Sequence, residues 1–306
     1  MVDKVDKIWM DGKLVPWDEA NVHILTHTLH YGLGVFEGIR CYKLTDGKSG
    51  IFRLREHIQR LAESAHIVTL TLPYSVDELV DACVETVRAN KLDECYLRPL
   101  AFMGDGPMGL GATSNPTRVS IITWRWGAYL GEEGLRKGIR AKVSSFSRTG
   151  VNSLMAKGKV VGHYVNSILA KREVMKAGYD EAIMLDPQGY VTEASGENIF
   201  VVRGDVVATP ALGSSILGGI TRDTVMRLMR DMGLRLEERT LTRDELYVAD
   251  EVFMVGTAAE VTPVREIDDR KIGIGERGPV TKRVQDRYFQ VVRGTELPDP
   301  NWVTRV

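Results

Sequence analysis

The chain has 306 residues, 43% hydrophobic and 26% charged, with 40 basic against 41 acidic side chains. That length exceeds what one core usually supports, so two domains are expected, and the composition excludes a disordered chain. A formal net charge of −1 gives no overall field for nucleic acid or an anionic membrane, which leaves small molecules or further copies of the chain as partners.

The chain opens MVDKVDKIWMDGK, charged from the start and without the apolar run of a leader. Ile8 to Met10, Asp11-Gly12 and Lys13 to Val15 read as a hairpin, because Asp-Gly supplies the positive φ of a tight turn. Leu54, Ile58, Leu61, Ala65 and Val68 recur at helical spacing over about 53–69. Ser75-Val76-Asp77-Glu78 is a capping box before a second amphipathic run ending near Lys91. Strands over Tyr96 to Met103 and Val119 to Trp124 flank a glycine-rich loop, and the pattern then loses periodicity. The expected division is therefore a small domain over 1–124, a connecting loop over 125–138 and a large domain over 139–306.

The second half starts with a strand at Ile139 to Phe146, then the Lys159 region leads into a helix stopped by Gly178. Strands follow at Glu181 to Leu185, Tyr190 to Thr192 and Ile199 to Val202, separated by turns at Asp186-Pro187-Gln188-Gly189 and Gly204-Asp205. A helix over Thr221 to Met232 ends at Gly233, and Thr242-Arg243-Asp244-Glu245 caps a short one. A buried strand at Val252 to Val255, a hairpin through Asp268-Asp269 and a helix over Val280 to Val292 complete the set. The fold class is mixed α/β of the α+β kind, with hairpin-connected strands and segregated helices.

Three look-alikes are set aside. Gly104-Asp105-Gly106-Pro107-Met108-Gly109 matches a dinucleotide string, but no helix can open after Gly109 to meet a pyrophosphate. His23, His27 and His30 share helical spacing without a neighbouring carboxylate, so no metal is expected. Arg136, Lys137, Arg140, Lys142 and Arg148 lack interleaved aromatics and read as a solvated strand face, not a nucleic-acid patch. Cys41, Cys83 and Cys95 form no metal or redox pair and read as reduced cytoplasmic thiols.

What remains fits an aldehyde cofactor held on a lysine. Lys159, in Ala156-Lys157-Gly158-Lys159-Val160-Val161-Gly162, sits among small and apolar residues that favour a neutral amine, although a solvated lysine fits the same string. An electron-sink ring needs an ionised carboxylate at its nitrogen. Glu193 ends a strand among small residues and suits that task or an ordinary strand end. Tyr164 could meet a phenolic oxygen or pack in a core. Gly219-Ile220-Thr221 runs into a helix, giving an anion free N–H groups, a hydroxyl and the positive dipole end. Gly256-Thr257 offers a second such turn, and Arg60 a permanent charge.

The chain resembles the class IV pyridoxal-phosphate aminotransferases, and among them the branched-chain amino-acid aminotransferases. The resemblance runs from Trp9 to about Gly294 and rests on His30-Tyr31-Gly32, Val35-Phe36-Glu37-Gly38-Ile39-Arg40, Tyr96-Leu97-Arg98-Pro99-Leu100, Trp126-Gly127-Ala128-Tyr129-Leu130, Gly189 to Asn198 and Gly219-Ile220-Thr221-Arg222-Asp223. It implies a two-domain fold-type IV arrangement, with a smaller N-terminal α/β domain, a larger C-terminal pseudo-barrel domain and the site between them. It implies that Lys159 bonds pyridoxal 5′-phosphate, Glu193 faces the ring nitrogen, Tyr164 the phenolic oxygen, and Arg60, Gly219, Ile220, Thr221, Gly256 and Thr257 the phosphate end. The substrate α-carboxylate would lie near Tyr96, Thr257 and Ala258. The side chain would lie among Phe36, Gly38, Tyr164, Trp126 and Tyr129, closed by Tyr31, Met108 and Leu110, some of them from a second subunit. Arg98, with Tyr31 and Arg40, would meet the γ-carboxylate of glutamate.

The implied reaction moves an amino group from L-leucine, L-isoleucine or L-valine to 2-oxoglutarate in a cytoplasmic homodimer or hexamer, with no nucleic-acid or membrane partner. Alternatives on the same fold are a D-amino-acid aminotransferase and an aminodeoxychorismate lyase. The former uses an Arg-x-His trap in a loop that here, over Gly104 to Ser114, holds no basic residue. A phosphate-ligand binding module would use the two anion turns but not Lys159 or Glu193.

Overall fold

The computed structural model describes residues 2–127 and 129–306, which divide into two compact units. The chain runs β1 (Lys7–Met10), β2 (Lys13–Pro16), α1 (His27–Tyr31), β3 (Gly34–Phe36), β4 (Ile39–Lys43), β5 (Ser49–Phe52), α2 (Leu54–Ile67), α3 (Val76–Ala89), β6 (Cys95–Met103) and β7 (Thr117–Trp124). It continues with α4 (Glu132–Lys137), β8 (Ile139–Val143), α5 (Tyr164–Lys176), β9 (Glu181–Leu185), β10 (Val191–Ala194), β11 (Asn198–Arg203), β12 (Val206–Thr209), α6 (Ile220–Asp231) and β13 (Arg235–Glu238). The last elements are α7 (Arg243–Tyr247), β14 (Glu251–Gly256), β15 (Glu260–Ile267), β16 (Arg270–Lys271), α8 (Pro279–Val292) and β17 (Val303–Arg305).

Unit 1 takes the chain up to Trp126, then Gly158–His163 and Val291–Val306. Its sheet has the order β17-β5-β4-β6-β7-β1-β2, with β3 on β6, and every pairing is antiparallel. Asp11 and Gly12 close the β1–β2 hairpin with φ of 49° and 91°, the positive pair that matches strand twist. Leu54, Ile58 and Leu61 of α2 and Leu79, Cys83 and Val87 of α3 join one core with Ile39, Ile51, Leu97 and Ile121 of the sheet. The capping box forms as expected: Ser75 N–H donates to Glu78 Oε2 at 2.7 Å and Glu78 N–H to Ser75 Oγ at 3.3 Å.

The units differ from the expected division in two places. The last residues return to unit 1, where β17 pairs with β5 and the buried Trp302 stands edge-on to Phe52 at 5.9 Å. Gly158–His163 does the same from mid-chain.

Unit 2, Gly127–Lys157 and Tyr164–Gln290, has a second sheet ordered β10-β9-β8-β15-β14-β11-β12-β13, with β16 on β15. Three of its pairings are parallel, β8 with β9, β8 with β15, and β12 with β13. Helices α5 and α6 are thus crossovers between parallel strands, which a reading of hairpins alone misses. Each follows a long irregular stretch that hides the strand–helix–strand rhythm. The expected loop at 125–138 contains α4, bounded by Gly131 and Gly138 at φ of 80° and 96°. Among the described residues no helix is long and apolar enough to cross a membrane.

Candidate active site

In unit 1 the sequence around Lys159 is extended, not helical. Val160 bridges to Val35, Phe36 N–H donates to Lys159 O at 3.1 Å, and Lys159 N–H donates to Ser64 Oγ at 3.0 Å. Strand pairing holds the backbone open here, so α5 begins only at Tyr164, after a single 3-10 turn at Val161–His163. Gly32, at φ of 74°, and Gly162 let two backbones pass closely: a Cβ on Gly32 would lie 3.1 Å from Gly162 Cα. Lys159 is thereby pinned by its main chain while its Nζ stays 5.0 Å from the centre of the Phe36 ring.

Arg60 is held from behind. Its Nε donates to Glu37 Oε1 at 2.7 Å and a terminal nitrogen to Oε2 at 2.9 Å, a fork on a fully buried carboxylate. His57 Nδ1 lies 2.8 Å from Glu37 Oε2, and the carboxylate can only accept, so this nitrogen carries the proton. Burial opposes the Glu37 charge, but the Arg60 and His57 partners win and hold its carboxyl well below the usual range. Burial wins at His57 and depresses it despite Glu37, because Arg60 already supplies the cation. Neither Glu37 nor His57 received a role from the sequence. Only the i, i+3 spacing of His57 and Arg60 on one helix face gives a hint.

Both groups bind fewer protons in the folded protein than in the unfolded chain, so both weaken the fold as pH falls. His57 acts below its ordinary 6.5 and Glu37 below its ordinary 4.5. Urea unfolding should thus show lower stability at acidic than at neutral pH. Glu37→Ala should cost about 3–5 kcal/mol by removing the fully buried carboxylate that Arg60 and His57 both contact. A variant as stable as the parent would contradict this pairing.

Beside Lys159 stands an aromatic wall. Tyr96 meets Trp126 edge-on at 4.7 Å and lies tilted against Trp124 at 5.2 Å, and the Arg98 guanidinium lies 4.8 Å from the Phe36 centroid, 5.6 Å from Trp124 and 5.7 Å from Tyr96. Arg98 Nε is buried without a hydrogen-bond partner. Arg40, buried, donates to the Trp126 carbonyl at 3.2 Å. Gly38 makes room for Tyr96, since a Cβ there would fall 1.8 Å from the tyrosine hydroxyl. The structure thus gathers Phe36, Gly38, Arg40, Tyr96, Arg98 and Trp126, and adds Trp124. Tyr31, Met108 and Leu110 stand exposed instead, on a face joined by His27, whose Nε2 lies 2.9 Å from Gly109 O. His30 contacts Ile24 O at 2.9 Å and His23 Nδ1 accepts from Leu25 N–H at 3.2 Å, so the three histidines have separate partners.

In unit 2, Glu193 lies on β10 with 4% of its surface exposed. Arg148 donates to its Oε1; Asn198 Nδ2 and Leu217 N–H donate to Oε2 at 3.1 and 3.0 Å. Arg148 is therefore not part of a solvated basic face. It follows β8 by a few residues and turns inward, a direction that composition cannot reveal. Three glutamates crowd this region, and two of them are paired with cations. Glu181 pairs with Lys171. Glu193 pairs with Arg148. Glu197 is pushed well above the usual carboxylate range by burial and by the Glu181 charge.

Gly219 precedes α6, whose first turn has no side-chain cap, and Thr221 is buried there. Gly256, Thr257 and Ala258 turn the chain between β14 and β15. Tyr164 and Tyr129 line an open cleft of about 700 Å³ along α5, with Ser195 and Gly196.

Set against known proteins, residues 34–267 match the family described as amino-transferase class IV. The branched-chain-amino-acid aminotransferase of Pseudomonas aeruginosa is 50% identical over 306 residues, 100% of this chain and 99% of that one. The crystal structure of the Escherichia coli branched-chain amino acid aminotransferase superposes with a TM-score of 0.96 at 46% identity, over 98% of this chain and 99% of that one. The branched-chain amino acid aminotransferase from Thermobaculum terrenum in its PLP-bound holo-form gives a TM-score of 0.92 at 36% identity, over 99% of this chain and 98% of that one.

Proposed function

This chain belongs to the class IV aminotransferases, and from that premise we propose the roles by which its residues transfer an amino group from L-leucine, L-isoleucine or L-valine to 2-oxoglutarate. The cofactor is pyridoxal 5′-phosphate, which supplies an aldehyde carbon for amine attachment and a protonated ring that accepts the electron pair left at Cα. The residues fit that group. An ionised carboxylate clamped by three donors suits a protonated ring nitrogen, and an uncapped helix start suits a phosphate.

The clamp on Glu193 carries this reading, because Arg148, Asn198 and Leu217 offset the cost of burying its charge and fix the direction in which the carboxylate points. Lys159 would hold the aldehyde carbon through its Nζ and, as the amine beside substrate Cα, would move the proton from Cα to that carbon. Tyr164 donates to the phenolic oxygen. Gly219, Ile220, Thr221, Gly256, Thr257 and Arg60 hold the phosphate, Arg60 aimed by Glu37. Tyr96, Thr257 and Ala258 orient the α-carboxylate. Phe36, Gly38, Trp126, Tyr129 and Tyr164 surround an apolar side chain, where each methylene kept from water contributes about 0.8 kcal/mol. Incubation with 2-oxoglutarate and either L- or D-leucine tests the assignment. Oxo acid should form from the L isomer alone, and formation from the D isomer alone would overturn it.

The second substrate requires a cation in the same apolar wall. Arg98, stacked on Phe36 with a buried Nε awaiting an acceptor, suits the γ-carboxylate, with Arg40 and Tyr31 in support. Arg98→Leu should raise KM for 2-oxoglutarate roughly ten- to hundredfold, the value of a hydrogen bond to a charged group, and leave the leucine half-reaction nearly unchanged. Equal damage to both half-reactions would rule out this role.

Ile24, Leu25 and Leu29 are exposed on the same unit as Tyr31, Met108 and Leu110, and a second copy of the chain is the partner proposed to cover them, bringing Tyr31, Met108 and Leu110 to its neighbour's substrate. We place this oligomer in the cytoplasm, where three buried thiols that form no disulfide stay reduced.

A further inference from the structure

We infer that Asn198 is a positioning residue that locks Glu193 and the turn before α6 into one unit. Its carboxamide nitrogen donates to Glu193 Oε2 at 3.1 Å and to Leu217 O at 3.0 Å, while Leu217 N–H returns to the same Glu193 oxygen at 3.0 Å. One carboxylate oxygen, one amide and both polar groups of one peptide residue thus close a ring of hydrogen bonds. Both neighbours of Nδ2 are acceptors, which fixes the orientation of the amide. Asn198 is 5% exposed and begins β11, where its Cα faces Val255 on β14, so a paired strand holds the frame.

The other side of the carboxamide explains the glycine that follows. Gly219 has φ of −67° and ψ of 131°, a conformation open to any residue, so backbone freedom is not what the position needs. Space is. A Cβ at Gly219 would fall 2.0 Å from Asn198 Oδ1. The helix therefore starts on a glycine, where a serine or aspartate cap would be the stronger choice, because Asn198 occupies the place of a side chain. The uncapped start of α6 and the aim of Glu193 have one common cause.

This inference rests on the reading that Glu193 faces the cofactor ring. Two experiments test it, one of them free of cofactor. In thermal melts of the cofactor-free protein, Gly219→Ala should lower Tm in the parent and leave it unchanged in an Asn198→Ala background, where the clash is gone. In the loaded protein, Asn198→Ala should weaken pyridoxal-phosphate binding roughly tenfold or more, the value of two lost hydrogen bonds, and displace the pH titration of the bound cofactor's visible absorbance. Asn198→Asp, which sets a second carboxylate against Glu193, should be worse than Asn198→Ala in both respects. Additive melts, or an unmoved titration with unchanged binding in Asn198→Ala, would overturn the inference alone. A parent protein that takes up no cofactor would remove the functional reading and this inference with it.

Discussion

Lys159→Ala should lose turnover of L-leucine with 2-oxoglutarate by roughly four orders of magnitude, the combined worth of a covalent attachment point and a proton-transferring base. The fold should survive. The main chain at residue 159 is held by contacts that do not involve its side chain: the N–H to Ser64, the carbonyl to Phe36 and the bridge of Val160 to Val35. The side chain is only half-buried, so its loss opens no closed cavity. The melting temperature of the cofactor-free variant should therefore stay within about 4 °C of the parent, a shift worth no more than about 1–2 kcal/mol. Activity within tenfold of the parent would remove Lys159 from the chemistry.

Glu193→Gln should reduce kcat by roughly a hundred- to a thousandfold, as expected when a preorganised charge is withdrawn from a reacting centre. All three neighbours of the carboxylate, Arg148, Asn198 Nδ2 and Leu217 N–H, are donors. An amide must turn its NH₂ toward one of them, so the substitution loses the charge and also unsettles the turn leading to α6. Glu193→Asp keeps the charge at a shorter reach and should recover part of the loss. Comparison of single-turnover rates with L-leucine checks both variants, and a glutamine variant with parental rates would contradict the assignment.

Features specified within a few neighbouring residues were legible in the sequence. Asp11-Gly12 closes its hairpin, and Ser75 and Thr242 begin their helices in capping boxes. Features set by distant partners were not. Strands β3, β4 and β5 are short and broken by Gly34, Gly38 and Gly50, and they exist because β6 and β17 pair with them. The extended backbone at Lys159 depends on Val35, and the return of the last residues depends on a bed for Trp302 beside Phe52. The buried ion pairs were hidden for the same reason. Arg148 reads as one more basic residue until Glu193 is seen beneath it, and Glu37 reads as a motif letter until Arg60 and His57 close on it.

Borohydride reduction of the holoenzyme, which makes a cofactor–lysine bond permanent, followed by fragment mass analysis tests the central claim most directly. Lys157 is the natural competitor, since burial depresses its amine, but its Nζ is engaged by the Ile216 carbonyl at 3.0 Å. The added mass should lie on Lys159 alone. Its appearance on Lys157, on another lysine or on no residue would contradict the account.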